Sequence, residues 1–355
     1  NNLISKKVVV FGVGSIGREY CRVLHRLGVN FSVVGRSTTG VEKFTSETGE
    51  IALPNGVEGW KTHGDPSINS AIVAVNLEAL AQVAIDLMGC GIRNILLEKP
   101  GGINAEEIKL VKDTAKATGT NVWIAYNRRF FASVLKAQEI IRDDGGVKSF
   151  NFEFTEWPHV ILDRIKNEVA KENWFMVNST HVVDMAFLLG GFPKELESYT
   201  AGDCDWHPDS AVFAGSGVSE YGALFSYQAN WLAPGRWSVE ILTKFNRLIF
   251  RPLEKLQAQK HKSVTTEFID IDDQLDIEFK PGFFRQTELF LKGASHNNFV
   301  SIETWLTFFY DIITFNFNNF TDKYSAVLNQ INRWIKPDQI HFIITFLIVI
   351  ITLLS

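Results

Sequence analysis

The sequence predicts two α/β domains: a doubly wound, parallel sheet followed by a domain with an open, mostly antiparallel sheet. Three observations carry that expectation. An apolar strand, Val8 to Phe11, runs directly into Gly12-Val13-Gly14-Ser15-Ile16-Gly17 and then a helical pattern. Apolar runs alternate with helical patterns of roughly 10 to 15 residues as far as residue 127. Beyond that point the period becomes two, first at Phe150, Phe152 and Phe154. At 355 residues the chain is long enough for two domains, placed here at 1–127 and 128–315, with an atypical tail over 316–355. A net charge of −5 excludes general attraction to nucleic acid or anionic membranes, so an anionic ligand must meet a local basic cluster.

In chain order, Tyr20, Val23, Leu24 and Leu27 line one face of the first helix, and Val29 to Val34 reads as the second strand. The segment from Glu50 to Asn69 is rich in turn residues, with one short strand expected near Val57. Strands then follow at Ala71 to Val75, Ile92 to Leu97 and Val122 to Ala125, separated by helices over Glu78 to Met88 and Ala105 to Ala117. The second domain begins with a helix from Ser133 to Asp143. It continues through a helical stretch from Asn178 to Leu189, a series of alternating strands between Glu195 and Ile269, and helices over Phe283 to Lys292 and Ile302 to Phe315. One sheet face must cover helices; the other, with its aromatic residues, is a candidate subunit interface.

The glycine spacing has a physical reading. Gly12 permits a tight turn, Gly14 lets backbone approach a pyrophosphate, and Gly17 lets the helix pack on the strand. The pyrophosphate would sit on the free N–H groups of the helix start, beside Ser15 and Ile16. At the end of the second strand stand Arg36 and Ser37, with no acidic residue between Glu19 and Glu42. An Arg there suits the 2′-phosphate of NADP, so NADP is preferred over NAD. Asn76, Glu98 and Asn127 complete the expected cofactor set at the carboxyl ends of later strands.

Two side chains are candidates for chemistry. Lys99, between a strand end and Pro100, is held on a short turn where its ammonium could stabilise a developing alkoxide, and Pro100 could follow a cis bond. His181 titrates near neutrality and could accept a hydroxyl proton. Asn178 lies three residues before it on the same helix face, and Asp184, three after, could orient the ring or pair structurally. Arg128, Trp157 and Lys166, with Asn178 and Asp184, are the candidate substrate contacts; Arg128, Lys166 and Arg285 supply positive charge for a phosphorylated or nucleotide-linked sugar. Cys21, Cys90 and Cys204 lack metal or disulfide spacing, and neither H-E-x-x-H nor a nucleophile elbow occurs, so no metal is expected.

Taken together, Gly12 to Gly17, Glu98-Lys99-Pro100, Tyr126-Asn127-Arg128-Arg129 and His181-Val182-Val183-Asp184 resemble the glucose-fructose oxidoreductase/inositol dehydrogenase/MocA (Gfo/Idh/MocA) family over about residues 5 to 315. The resemblance implies a Rossmann domain, an open-sheet second domain used for dimer or tetramer contacts, and NAD(P)-dependent hydride transfer at a sugar, polyol or nucleotide-sugar carbon. It also implies that Lys99 is the active-site lysine and that His181 helps with proton transfer. Many members carry Asp four residues before that histidine, whereas here the position is Val177, which leaves proton transfer to Lys99 and His181. Two alternatives on this fold stay open: a non-catalytic NAD(P)-binding regulator and a glycosidase using transient NAD-dependent oxidation. The first residues, Asn1 to Lys7, have no signal-peptide core, and a cytoplasmic location is expected. The apolar stretch from Ile340 to Ser355 is short for a membrane span, so a membrane partner is expected only if that stretch acts as a tail anchor.

Overall fold

A computed structural model describes residues 3–207, 210–293 and 296–308. In the first half, strands β1 (Lys7–Phe11), β2 (Asn30–Val34), β3 (Ala52–Leu53), β4 (Ser70–Val73), β5 (Asn94–Leu97) and β6 (Asn121–Ile124) are connected by α1 (Ser15–Leu27), α2 (Thr38–Thr48), α3 (Gly56–His63), α4 (Leu80–Gly89) and α5 (Ala105–Thr118). The strands pair in parallel in the order 3-2-1-4-5-6, the doubly wound order that opens a crevice between the ends of β1 and β4. Val8, Val9 and Val10 are fully buried, as a strand covered on both faces requires.

One local expectation is corrected and one helix is added. Val57 lies in α3, not in a strand: Asn55 takes a left-handed conformation (φ 69°) to start the helix, and the strand is Ala52–Leu53. The hydroxyl-rich segment after Arg36 is a helix, α2, which buries Val41 and Phe44.

The second half contains α6 (Ala132–Asp143), β7 (Ser149–Glu153), α7 (Pro158–Arg164), α8 (Glu168–Glu172), a π turn over Phe175–Ser179, and α9 (Thr180–Gly190). Then come β8 (Pro193–Ala201), β9 (Val212–Ser219), β10 (Leu224–Asn230), β11 (Ser238–Leu242), β12 (Asn246–Phe250), β13 (Gln257–Lys260) and β14 (Thr266–Phe268). Then follow α10 (Gln274–Glu278), α11 (Phe283–Lys292), β15 (Val300–Ser301) and helical residues 302–308, the rest of the helix expected to Phe315 lying outside the described residues. Strands β7 to β14 form one sheet in which every neighbouring pair is antiparallel except β7 with β10.

The aromatic residues at the centre of this sheet face inward. Phe150 and Phe152 pack edge-on against Phe187 of α9 at 5.9 and 5.4 Å, and Gly190 lets the helix sit against the Phe150 ring. The opposite face presents Asn151, Glu153, Ser226, Gln228 and Glu240 at its centre, with Tyr199 and Phe268 exposed on its outer strands, so the expected aromatic character of that face is confined to its edges. The period-two pattern defines two faces but does not say which one meets α9.

The sequence boundary at 127 does not separate the two halves in space. Strand β15 adds antiparallel to β6, and Phe283 of α11 packs on Tyr20 of α1 at 4.8 Å, joining that helix to the first domain's core. Among the described residues no helix is long and apolar enough to cross a membrane; the tail over 316–355 lies outside them.

Candidate active site

The crevice at the β1 and β4 ends is a cavity of about 360 Å³ lined by Gly12, Gly14, Ser15, Ile16, Arg36, Ser37 and Asn76 among others. The three glycines serve different needs. A Cβ on Gly12 (φ 127°) would lie 2.1 Å from the Ala74 carbonyl oxygen, and one on Gly17 would lie 2.0 Å from the Gly12 carbonyl oxygen. Gly14 is different, because a Cβ there meets no protein atom within 4 Å. The fold tolerates a side chain at Gly14; its bareness is explained by a ligand that approaches the backbone. Gly14 is also the N-cap of α1 and supplies no side-chain cap, leaving the helix-start N–H groups for an anion. This cradle fits a dinucleotide pyrophosphate.

Arg36 is exposed at the cavity rim and makes no side-chain hydrogen bond or ion pair among the described residues, so its guanidinium is available to a ligand. Ser37, by contrast, is engaged within the protein: its hydroxyl accepts from Gly40 N at 3.2 Å and caps α2.

The second cluster lies at the ends of β5 and β6 against α9. The Lys99–Pro100 bond is cis. Lys99 Nζ donates to the Val177 carbonyl at 2.5 Å. Burial pushes the Lys99 ammonium down to about 8, opposed by Glu98 and reinforced by Arg128 and Lys280. Glu98 accepts from Tyr20 Oη at 2.8 Å, and burial raises its carboxyl above the usual range. His181 is buried between Tyr126, whose ring stands edge-on at 5.6 Å, and Trp237 at 6.5 Å. Burial, with Arg128, Lys99 and Lys280 nearby, holds His181 well below the usual imidazole range. Its ring is therefore neutral near pH 7, and Nδ1 is buried with no hydrogen-bond partner in the protein.

Several expected site residues do other work. Asp184 is fully buried and takes Arg129 in a forked pair, with Nε to Oδ2 at 2.8 Å and Nη2 to Oδ1 at 2.6 Å. This pair ties the turn after β6 to α9, which answers the alternative between orienting His181 and pairing structurally in favour of pairing. Asn127 donates to the Pro281 carbonyl at 2.8 Å and braces the Lys280–Gly282 turn. Arg285 pairs with Asp276 at 2.8 Å and is structural. Lys166 is exposed on the α7 to α8 connection, where nothing brings it to Lys99. Trp157 stands at the rim, its indole N–H donating to the Gly235 carbonyl at 2.7 Å and its ring under Arg236.

The structure also adds residues. Glu156, 2% exposed, accepts from Ser179 Oγ at 2.8 Å and from Asn178 Nδ2 at 3.1 Å, with Arg236 at 3.9 Å. It thereby anchors the π turn whose Val177 carbonyl receives Lys99. Asn178, expected to meet substrate, is thus engaged by Glu156. Lys280 and Trp237 join the cluster from α10–α11 and from the start of β11. The one available signal was the break in alternation after Phe154, where Thr155 and Glu156 put polar groups on a buried run.

Residues 6–126 match the profile of an oxidoreductase family, NAD-binding Rossmann fold (Gfo/Idh/MocA). The first domain is thus similar to the NAD-binding Rossmann domain of Gfo/Idh/MocA oxidoreductases. The fold similarity to solved oxidoreductase structures extends over both domains. An oxidoreductase from Agrobacterium radiobacter, in complex with NAD⁺, L-tartaric acid and magnesium, is 12% identical with a TM-score of 0.72, covering 87% of this chain and 94% of that one. A UDP-N-acetylglucosamine 3-dehydrogenase from Acidithiobacillus ferrooxidans is 15% identical with a TM-score of 0.65 (84% and 93% covered). Levoglucosan dehydrogenase in complex with NADH is 16% identical with a TM-score of 0.68 (85% and 93% covered). No curated protein matches the chain in sequence.

Proposed function

We propose that this protein is an NAD(P)-dependent oxidoreductase of the Gfo/Idh/MocA type that moves a hydride between the nicotinamide and a hydroxyl-bearing carbon of a sugar, polyol or nucleotide sugar, with NADP preferred. The observation that carries the reading is the convergence of Lys99 and a neutral, buried His181 at the strand ends next to the dinucleotide crevice. Bound at the crevice, the nicotinamide supplies the hydride acceptor or donor. In the oxidative direction His181, neutral and with Nδ1 unpartnered, takes the hydroxyl proton only in passing, since the burial and nearby cations that keep it neutral also disfavour its charged form. Lys99, held by the Val177 carbonyl, presents its ammonium to the oxygen and stabilises the developing alkoxide. Segment 158–172 reaches the first domain, where Asn167 donates to Glu78 at 2.6 Å. The resemblance to open-sheet family members adds dimer or tetramer contacts through the exposed face of the second sheet to this proposal.

The direct test is reduction of NADP⁺ and NAD⁺ by the full chain across a panel of neutral, acidic and nucleotide-linked sugars. Lys99→Met is expected to cut kcat by about 10²–10⁴-fold. Cofactor affinity, read by calorimetry, should stay within a few-fold. Unchanged turnover in the variant would remove Lys99 from the mechanism. Tight NADP binding with no reduction by any sugar would favour a regulator instead.

A further inference from the structure

We propose that the substrate side of the cleft is an oxyanion receptor built by Arg128 and Arg236 on the ring of Trp237, and that the sugar oxidised here carries a carboxylate or phosphate. The inference rests on the oxidoreductase reading and names its substrate class.

The adjacent arginines of the turn after β6 set the contrast. Arg129 is completely matched by the Asp184 carboxylate and the Asn298 carbonyl. Arg128, one residue earlier, has no ion-pair or hydrogen-bond partner for its side chain among the described residues, and its Nε is sealed from solvent. Its guanidinium lies 4.8 Å from the Trp237 ring centre, and that of Arg236 lies 4.6 Å from the same ring. Stacking leaves the N–H edge of Arg128 without a protein partner, while Arg236, half exposed, has only Glu156 at 3.9 Å beside it, and such forked edges match carboxylate and phosphate oxygens. A buried guanidinium without a counter-charge is costly, whereas an arriving anion would relieve it.

Charge around the site points the same way. Lys99, Arg128, Arg236 and Lys280 are set against the carboxylates of Glu98 and Glu156, while Glu19, beside Lys280, is paired with Arg22. Both carboxylates are engaged, Glu98 by Tyr20 and Glu156 by Ser179 and Asn178. Asp184 is neutralised by Arg129, and Glu254, the remaining acid near Arg128, is solvent-exposed. The oxidised nicotinamide adds a further positive charge when bound, so the complex that awaits substrate is the one most in need of an anion. The rings of His181 and Trp237 lie 6.5 Å apart, and His181 Nδ1 and Trp237 Nε1, both buried without a hydrogen-bond partner, are further polar groups beside the receptor.

The test is calorimetric titration of the NADP⁺-loaded full chain with glucuronate, UDP-glucose and glucose, together with initial rates for each. One of the two anionic probes is expected to bind at least ~10-fold more tightly than glucose; glucuronate winning identifies a carboxylate, UDP-glucose a phosphate. Arg128→Gln should weaken the preferred anion by about 10–100-fold, and by at least ~10-fold more than it weakens glucose. Retained NADP⁺ affinity would show that the variant is folded, and Arg236→Gln, expected to act in the same direction, replaces it if it is not. Equal affinity for all three probes, binding of neither anion, or equal losses for anion and glucose in the variant would overturn the receptor. Arg128-dependent anion binding without nicotinamide reduction would leave the receptor standing and overturn the oxidoreductase reading; oxidation of glucose as efficiently as the anions would do the reverse.

Discussion

The cofactor half and the substrate half of the cleft are made of different materials. The cofactor crevice is made mostly of backbone: a left-open glycine at Gly14, two glycines that permit close packing, and a bare helix start, all within one strand–turn–helix unit. The substrate half is made of side chains from distant stretches, with Lys99, Arg128, Glu156, His181, Arg236, Trp237 and Lys280 brought together by tertiary packing. A backbone site tolerates change around it so long as the local turn survives. A side-chain site depends on the struts between elements, and each strut is a point at which it can be broken.

The sharpest way to break that distinction is at the strut. Asp184→Asn leaves the Arg129 guanidinium buried without its counter-charge and is expected to cost about 3–5 kcal/mol of stability, measured by denaturant unfolding. The π turn and α9 should loosen with it, so that KM for the sugar rises more than Kd for NADP. Equal effects on both would mean that the halves are not mechanically separate.

On the cofactor side the expected effect is smaller and confined to selectivity. Arg36→Asp exchanges the rim cation for an acceptor and should shift preference from NADP toward NAD by roughly 10–100-fold, about 1.4–3 kcal/mol. Stability and sugar KM should hold. Equal affinity of the unaltered protein for the two cofactors would remove the 2′-phosphate role from Arg36.

The mildest probe is pH, and it acts only on the substrate half. Lys99, pushed down to about 8 chiefly by burial, is an ammonium below that pH and a neutral amine above it. If the ammonium stabilises the alkoxide, kcat/KM falls about tenfold per pH unit above that value. His181, held well below its ordinary value, is already neutral and contributes no loss until far into the acid range. A rate that rises through pH 8 would instead make Lys99 the base. Cofactor affinity should not follow this profile.

Much of the architecture was legible before the structure. The doubly wound order follows from strands alternating with helices, and the helix over Phe283 to Lys292 was located to the residue. The misplacements have local causes. Val57 sits in a segment short enough that one left-handed Asn55 decides between strand and helix, and α2 lacked the apolar density that marks its neighbours. Ser37, Asn127, Asn178 and Asp184 were all polar residues in the right neighbourhood. A sequence cannot say whether such a group faces a ligand or a neighbour such as Gly40, Pro281, Glu156 or Arg129.

What the sequence by itself determined was the dinucleotide turn, because glycine conformation, helix start and strand end are local properties carried by contiguous residues. Only the tertiary structure decided which charges of the second half are matched. Arg128 and Arg129 are adjacent and chemically identical, and nothing in their order distinguishes the free guanidinium from the buried strut. That difference is set by Asp184, fifty-five positions away, whose carboxylate reaches one arginine and not the other.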